Sequence, residues 1–219
     1  MGWLRAAFQD ELDGVTNSLV ELSNLVTAAI EQATHSLLTA NLDEAQVVID
    51  ADDKIDVMQH ELDGRIIDII ARQQPVASDL RALVTALRMA ADLERMGDMA
   101  HHIAKIARLR HPGGAIPSEL LLTVEEMGKV AATISRKTGE VISSRDIEKA
   151  VELEKDDDEM DKLHRKLFST LLNDDWSHGI ETAIDVTLIG RYYERYADHV
   201  VSVARRVYFQ VTGKYLSDF

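Results

Sequence analysis

Apolar residues recur along most of this chain at alternating steps of three and four positions, the period of one face of an α-helix. The first such stripe predicts a helix of about thirty residues, and its members are Phe8, Leu12, Val15, Leu19, Leu22, Val26, Ala29, Ala33 and Leu37. The chain has three prolines, and each coincides with other signals for a break between elements. The pattern predicts an all-α protein with six long helices.

Turn and capping residues mark the ends of the predicted helices. Asn41 and Asp43 form a turn and N-cap pair before a second helix, which runs from about Asp43 to Arg72. Ser78 is the predicted cap of a third helix, which ends near Arg110. Two further stripes are predicted to face inward: Val48, Ile55, Leu62, Ile66 and Ile69 on the second helix, and Leu80, Val84, Leu87 and Ala91 on the third.

The plan of three helices starts again after the His-Pro-Gly-Gly sequence at residues 111–114, which is the best candidate for a domain boundary. The fourth helix repeats the stripe of the first, and Asp146 is the predicted cap of the fifth. The sixth helix aligns with the third at an offset of 100 residues, and the fifth with the second at an offset of 105. The sequence therefore predicts two tandem, pseudo-symmetric antiparallel three-helix bundles, residues 1–112 and residues 113–219.

Pairs of acidic residues four positions apart occur at matching places in the two halves. They are Asp52 with Asp56, Glu94 with Asp98, Asp157 with Asp161, and Glu194 with Asp198. A spacing of four places both carboxylates on one helix face, where like charges repel unless a cation lies between them. On the third helix the apolar stripe leads in helical steps to Glu94 and Asp98, so we expect these acids to continue a packed surface. The pairs predict a metal-binding groove in each half.

Composition restricts the possible partners and metals. The chain carries 24 Lys and Arg against 38 Asp and Glu, a net charge of −14, which disfavours nucleic acid and anionic lipid. It has no cysteine, so a metal would be held by oxygen or imidazole, as iron, zinc, manganese or magnesium can be. Asp10 and Glu11 lie where a signal peptide needs apolar residues, and no apolar run approaches a membrane span. We expect a cytoplasmic protein that does not insert into the membrane.

The motif of Glu or Asp, three residues and then Asp resembles that of the PhoU family of phosphate-uptake regulators. The matching segments are residues 51–56 (ADDKID), 92–100 (DLERMGDMA), 154–161 (EKDDDEMD) and 193–199 (YERYADH). The resemblance covers nearly the whole chain and implies multinuclear iron or other metal clusters at the eight acids, commonly in a homodimer. It also implies a non-enzymatic, cytoplasmic negative regulator that links the phosphate ABC transporter and its ATPase to a sensor histidine kinase.

One departure between the halves bears on metal occupancy. Arg191 stands where the third helix has Ala91, so a guanidinium lies one turn before Glu194 and can neutralise it in place of a metal. We therefore expect metal occupancy to differ between the halves.

The sequence is also compatible with two other functions. The acids could bind a basic partner directly, which would make the chain a metal-free helical scaffold. Asp98 with His101 and Asp161 with His164 have the spacing used by ferritin-like di-iron enzymes, but those enzymes use Glu-x-x-His, which this chain lacks. There is also no P-loop, nucleophile elbow or Gly-rich cradle, so the sequence supports neither phosphate binding nor phosphoryl transfer.

Overall fold

The computed structural model describes residues 2–216, and the side chains of residues 6–216; the predicted limits at residues 1 and 219 lie outside the described residues. The described part contains no strand and has one 3₁₀ turn, Ser118–Leu120. Its helices are α1 (Gly2–Thr39), α2 (Leu42–Gln73), α3 (Ala77–Arg110), α4 (Leu121–Ser144), α5 (Ile147–Leu171) and α6 (Gly179–Thr212). The prediction of six long helices and an all-α fold is confirmed.

Two of the predicted helix caps need correction. The N-cap of α2 is Asn41, whose side chain accepts a hydrogen bond from the backbone N–H of Glu44 at 3.1 Å, and Asp43 lies inside the first turn. The helix α3 begins after Val76 without a side-chain cap, so Ser78 is already helical. Asp146 caps α5 as predicted, because its Oδ1 accepts hydrogen bonds from two backbone N–H groups.

The helices form two groups of three that share one hydrophobic core. Within the groups, α1 and α2 pack on α3, and α4 and α5 pack on α6. Between the groups, α1 packs on α4 and α3 packs on α6, and the buried residues of both groups belong to a single cluster. The domain limits 1–112 and 113–219 stay a prediction. None of the helices in the described part is both long enough and apolar enough to cross a membrane.

A line of buried hydroxyl groups runs along the contact between α1 and the second group; we call it the polar seam. Thr27 Oγ1 lies 2.6 Å from Ser135 Oγ, and Thr34 Oγ1 lies 2.7 Å from the hydroxyl of Tyr193. The hydroxyl of Tyr196 donates to Ser135 Oγ at 2.8 Å. Because buried polar groups are costly without partners, these bonds favour one register of α1 against α4 and α6.

The backbones of α1 and α4 approach closely at Gly128, which lies beside the polar seam. A Cβ atom placed on Gly128 would lie 2.2 Å from Cγ2 of Thr34, far inside van der Waals contact. Thr34 is buried and is held by its hydrogen bond to Tyr193, so it has little room to move away. Glycine is therefore required here by packing.

The buried face of α3 differs from the predicted one. Leu80 and Val84 are 38% and 37% exposed, and Ala91 is also exposed, so the prediction that this stripe faces the core is wrong at these three positions. Its fourth member, Leu87, is partly buried against the core. The buried face is the adjacent stripe of mainly small residues: Leu83, Ala86, Ala90, Leu93, Gly97, Ala100 and Ala104. Because α3 contacts α1, α2 and α6, small side chains are needed on the sides where backbones come close.

We expect Gly128→Ala to lower the free energy of unfolding by roughly 1–3 kcal/mol, because the added methyl group overpacks the contact with Thr34. This is opposite in sign to the usual effect of a Gly to Ala change within a helix. The matched control is Gly64→Ala on α2, where nothing lies within 4 Å of the added atom. The free energy of unfolding of Gly64→Ala should rise by about 0.5–1 kcal/mol. Urea unfolding measures both, and stabilisation by Gly128→Ala would contradict the packing argument.

Candidate functional site

Four of the predicted carboxylates face each other across α2 and α3, and we call them the first acidic groove: Asp52, Asp56, Glu94 and Asp98. The side chains of Asp52, Glu94 and Asp98 are 15%, 21% and 23% exposed, so they are largely shielded from water. Burial raises the pKa of Asp52 and of Glu94 above their ordinary values, and the neighbouring acids of the groove raise both further. The arrangement therefore opposes a fully ionised groove.

Basic side chains of α3 partly offset this charge. Nδ1 of His101 lies 2.6 Å from Oδ2 of Asp52, which lowers the pKa of Asp52 against the effect of burial. The guanidinium of Arg95 donates to Asp98 at 2.7 Å and lies 3.5 Å from Glu94. Burial lowers the pKa of His101 itself, which favours a neutral imidazole that could also bind a metal.

Asp56 is the acid of the first groove whose negative charge is least offset by neighbouring groups. Its Oδ1 atom is buried and has no hydrogen-bond partner among the described residues. Near Asp56, α2 and α3 approach closely. A Cβ atom added to Gly97 of α3 would lie 3.0 Å from Ile55 Cδ1 and 3.7 Å from Asp52 Oδ1 of α2. The close approach holds the carboxylates of the two helices near each other.

The second acidic groove lies between α5 and α6 and consists of Asp157, Asp161, Glu194 and Asp198. Burial raises the pKa of Asp157 to about 6, with Asp161, Asp198 and Glu194 adding to the increase through their charge. Asp161 and Asp198 are exposed, whereas Asp157 and Glu194 are partly buried. The structure thus brings together the predicted acids of each half, as the repeat in the sequence implies.

The second groove has its own counter-charge and an unpartnered imidazole. The guanidinium of Arg191 donates a hydrogen bond to Glu194, the contact that its position in the sequence suggests. Nε2 of His164 is buried without a hydrogen-bond partner among the described residues, and its ring packs edge-on against Phe168 at 4.8 Å. This nitrogen was not among the predicted ligands, although the spacing of Asp161 and His164 draws attention to it.

In the present side-chain positions, no three His, Asp or Glu side chains of the described residues converge on a point that could hold a metal ion. His101, which the di-iron alternative pairs with Asp98, contacts Asp52 across the groove, and that alternative stays a hypothesis. The donor chemistry nevertheless fits a cation. Both grooves offer carboxylate oxygens and an acid whose pKa is raised by burial and by like charges, and the first groove also has the unpartnered Oδ1 of Asp56. The metal role of the eight acids stays a prediction.

Comparison with known proteins gives consistent matches over most of the chain. The family model described as the PhoU domain matches twice, at residues 19–107 and 124–207. The chain is 45% identical to the phosphate-specific transport system accessory protein PhoU homolog 2 of Mycobacterium tuberculosis, covering 97% of this chain and 100% of that protein. It is 30% identical to the PhoU homolog of Rhizobium meliloti, covering 96% of this chain and 89% of that protein. The crystal structure of PhoU from Pseudomonas aeruginosa matches with a TM-score of 0.86 and 27% identity, covering 94% of this chain and 100% of that one.

We expect Asp157→Asn to make the metal-free protein more stable than the wild type at neutral pH. The pKa of Asp157 rises from 3.8 to about 6 on folding, so the folded state keeps a proton that the unfolded state has lost between these values. Stability from this group is therefore highest below pH 3.8 and falls as the pH rises to about 6. The amide side chain of the Asp157→Asn variant does not ionise, so the variant does not lose this stability as the pH rises.

Urea unfolding in the presence of chelator, at pH 4 and at pH 7.5, measures the effect. The gain of Asp157→Asn over the wild type should be larger at pH 7.5 than at pH 4. Asp174→Asn is the control, because Asp174 is exposed and lies outside the grooves. Equal or lower stability of Asp157→Asn at pH 7.5 would show that the groove does not disfavour the ionised carboxylate.

Proposed function

The chain belongs to the PhoU family, and from this we propose that it is a cytoplasmic, non-enzymatic negative regulator of phosphate uptake and of the phosphate-starvation response. The proposal assigns it the role of an adaptor between the ATPase of the phosphate ABC transporter and a sensor histidine kinase. It is supported by relatives that match over nearly their whole length and are named as accessory proteins of a phosphate-specific transport system. The observation that carries it is the pair of equivalent acidic grooves.

The proposed role of the grooves is to bind metal ions, with iron as the first candidate and zinc, manganese or magnesium as alternatives. The proposed ligands are Asp52, Asp56, Glu94 and Asp98 in one half and Asp157, Asp161, Glu194 and Asp198 in the other. A bound cation would neutralise the carboxylates and join α2 to α3 and α5 to α6. In its absence, Arg95 forms ion pairs with Glu94 and Asp98, Arg191 forms one with Glu194, and the imidazole of His101 contacts Asp52.

Each groove continues along its helix into exposed apolar residues, which supports an adaptor role. Leu80 and Val84 precede the first groove on α3, and Ile180 and Ile184 occupy the matching positions on α6. In helical steps of four and three, these residues lie on the same side as the groove acids that follow. Both halves thus present an apolar strip followed by an acidic one, suited to a partner with apolar and then basic residues. The proposed assembly is a homodimer.

A metal-free scaffold is the second candidate function. It is favoured by the ion pairs within the grooves and by the lack, among the side chains that the structure describes, of three ligands already converging on one point. In that case the acids would bind basic residues of the partner directly. The two candidates differ in their sensitivity to chelators, since only a metal-dependent adaptor would lose partner binding when metal is removed.

We expect the quadruple variant Glu94→Gln, Asp98→Asn, Glu194→Gln, Asp198→Asn to lose bound metal and to bind the transporter ATPase at least about tenfold more weakly, because each change removes an anionic ligand. Elemental analysis of protein purified without a His-tag or chelator gives the metal content. Surface plasmon resonance with the purified ATPase gives the affinity, with and without chelator. Size-exclusion chromatography with light scattering checks that the variant keeps its fold and oligomeric state.

The control carries the same change in charge at four exposed acids outside the grooves: Glu126→Gln, Glu152→Gln, Asp174→Asn and Asp175→Asn. It should retain the wild-type metal content and bind the ATPase within about twofold. Loss of ATPase binding in the quadruple variant with no effect of chelator on the wild type would favour the metal-free scaffold. Unchanged metal content and unchanged ATPase binding would refute both functions for the grooves.

A further inference from the structure

A cleft of about 150 Å³ between the first half of α3 and the last turns of α6 has a different character from the rest of the surface. Three guanidinium groups line it, from Arg88, Arg205 and Arg206, in a chain whose net charge is −14. Two hydroxyl side chains, Thr85 and Ser202, also line it. We call it the arginine cleft; it lies outside both acidic grooves.

Two of the three arginines are held in place by acids. Nε of Arg206 donates to Oδ2 of Asp92 at 2.5 Å, and Asp92 is only 8% exposed. Arg205 donates to Glu154 of α5. Arg88 is exposed and makes no ion pair or hydrogen bond among the described residues. The cleft therefore has one more positive than negative group, with Arg206 fixed and Arg88 available to a ligand.

Thr85 adds a hydroxyl group to the lining of the cleft from α3, opposite Ser202 of α6. It is 3% exposed, so packing restricts the position of its side chain. A hydroxyl at this place can donate a hydrogen bond to an anion held by the guanidinium groups.

The arginine cleft does not follow from the internal repeat. At an offset of 100 residues, the matching positions carry different chemistry, namely Leu188 for Arg88, Asp185 for Thr85 and Ile106 for Arg206. These matching positions lie at the opposite end of the helix pair, where α6 begins and α3 ends. There Arg110 is already paired with Asp185 and Glu181. Of the three arginines, only Arg205 has a basic residue, Lys105, at its matching position. The repeat accounts for the two acidic grooves but not for this set of three arginines.

We propose that the arginine cleft binds a phosphoryl group, either as inorganic phosphate or as the phosphate of a small ester. Guanidinium groups match phosphate oxygens with paired hydrogen bonds, and hydroxyl donors complete the set. A volume near 150 Å³ accommodates one phosphoryl group with a few waters. No phosphate motif marks this site in the sequence, because its donors are side chains from two helices that lie more than a hundred residues apart.

An aromatic pair at the rim bears on which of the two sources is bound. The rings of Phe209 and Tyr215 stack at 4.6 Å with an interplanar angle of 13°, and both line the cleft. Tyr215 is 57% exposed, so its outer face could stack on the base of a nucleotide. Inorganic phosphate would make no use of that face.

Isothermal titration calorimetry on chelator-treated protein, at constant ionic strength, tests the proposal with inorganic phosphate as the probe. We expect one site per chain, with affinity lowered about tenfold or more in Arg88→Gln, because a charge-assisted contact is lost. Thr85→Val should weaken binding by a smaller factor. The matched control is Arg165→Gln, an exposed arginine of α5 outside the cleft, which should stay within about twofold of the wild type.

The same titration with adenosine monophosphate distinguishes the two sources. Tighter binding of the nucleotide than of phosphate, with the difference lost in Tyr215→Ala, identifies a phosphate ester as the ligand; equal affinities identify inorganic phosphate. No binding of either probe by the wild type up to about 10 mM overturns the proposal. Equal losses in Arg88→Gln and Arg165→Gln overturn it as well. Because metal and partner proteins are absent, the result is independent of the proposed adaptor function.

Discussion

Repulsion among four carboxylates that share a partly buried groove is the constraint on which both halves of this molecule depend. Acids on α2 face acids on α3, and acids on α5 face acids on α6. Burial raises the pKa of Asp52, Glu94 and Asp157, and the charge of the neighbouring acids raises each further. Separation of the helices would relieve the repulsion, but the buried faces of the same helices prevent it. A protein that maintains such an arrangement twice has a use for concentrated negative charge, either for a cation or for a basic partner.

The shared core and its polar contacts provide the stability that opposes this repulsion. Close approach at Gly97 and Gly128 and the hydrogen bonds of the polar seam fix the helices at short distances. Between α3 and α6, Asp92 contacts Arg206 and His199, which joins the two groups of helices at a buried charge. The arginine cleft lies on this junction, so a bound anion would contact both groups at once. An anion site and the acidic grooves would then share α3 and α6.

The buried face of a helix can be predicted best from the sequence when only one of its faces is buried. The stripes of α1, α2 and α4 could be predicted because each of these helices has a clear apolar face, and the repeat indicated which acids would meet. On α3 the small residues of the adjacent stripe indicated where another backbone could come close, but the more apolar stripe of Leu80 and Val84 was wrongly taken as a packed face. This helix contacts three others and buries mainly Ala and Gly, which carry little hydrophobic signal. Contacts between helices were also out of reach, including His101 with Asp52 and the arginines that meet in the cleft, since they depend on the register of packed helices.

The most direct test of the central claim, that the acidic grooves bind a cation, is the urea midpoint of the wild-type chain as metal is added back to chelator-treated protein. Iron(II) under anaerobic conditions comes first, followed by zinc and manganese. A cation that binds the folded grooves and not the unfolded chain must raise the midpoint progressively with its concentration. We predict this rise for the wild type and its loss when groove acids are replaced by amides. A midpoint that no metal raises would contradict the account and leave the grooves as surfaces for a basic partner.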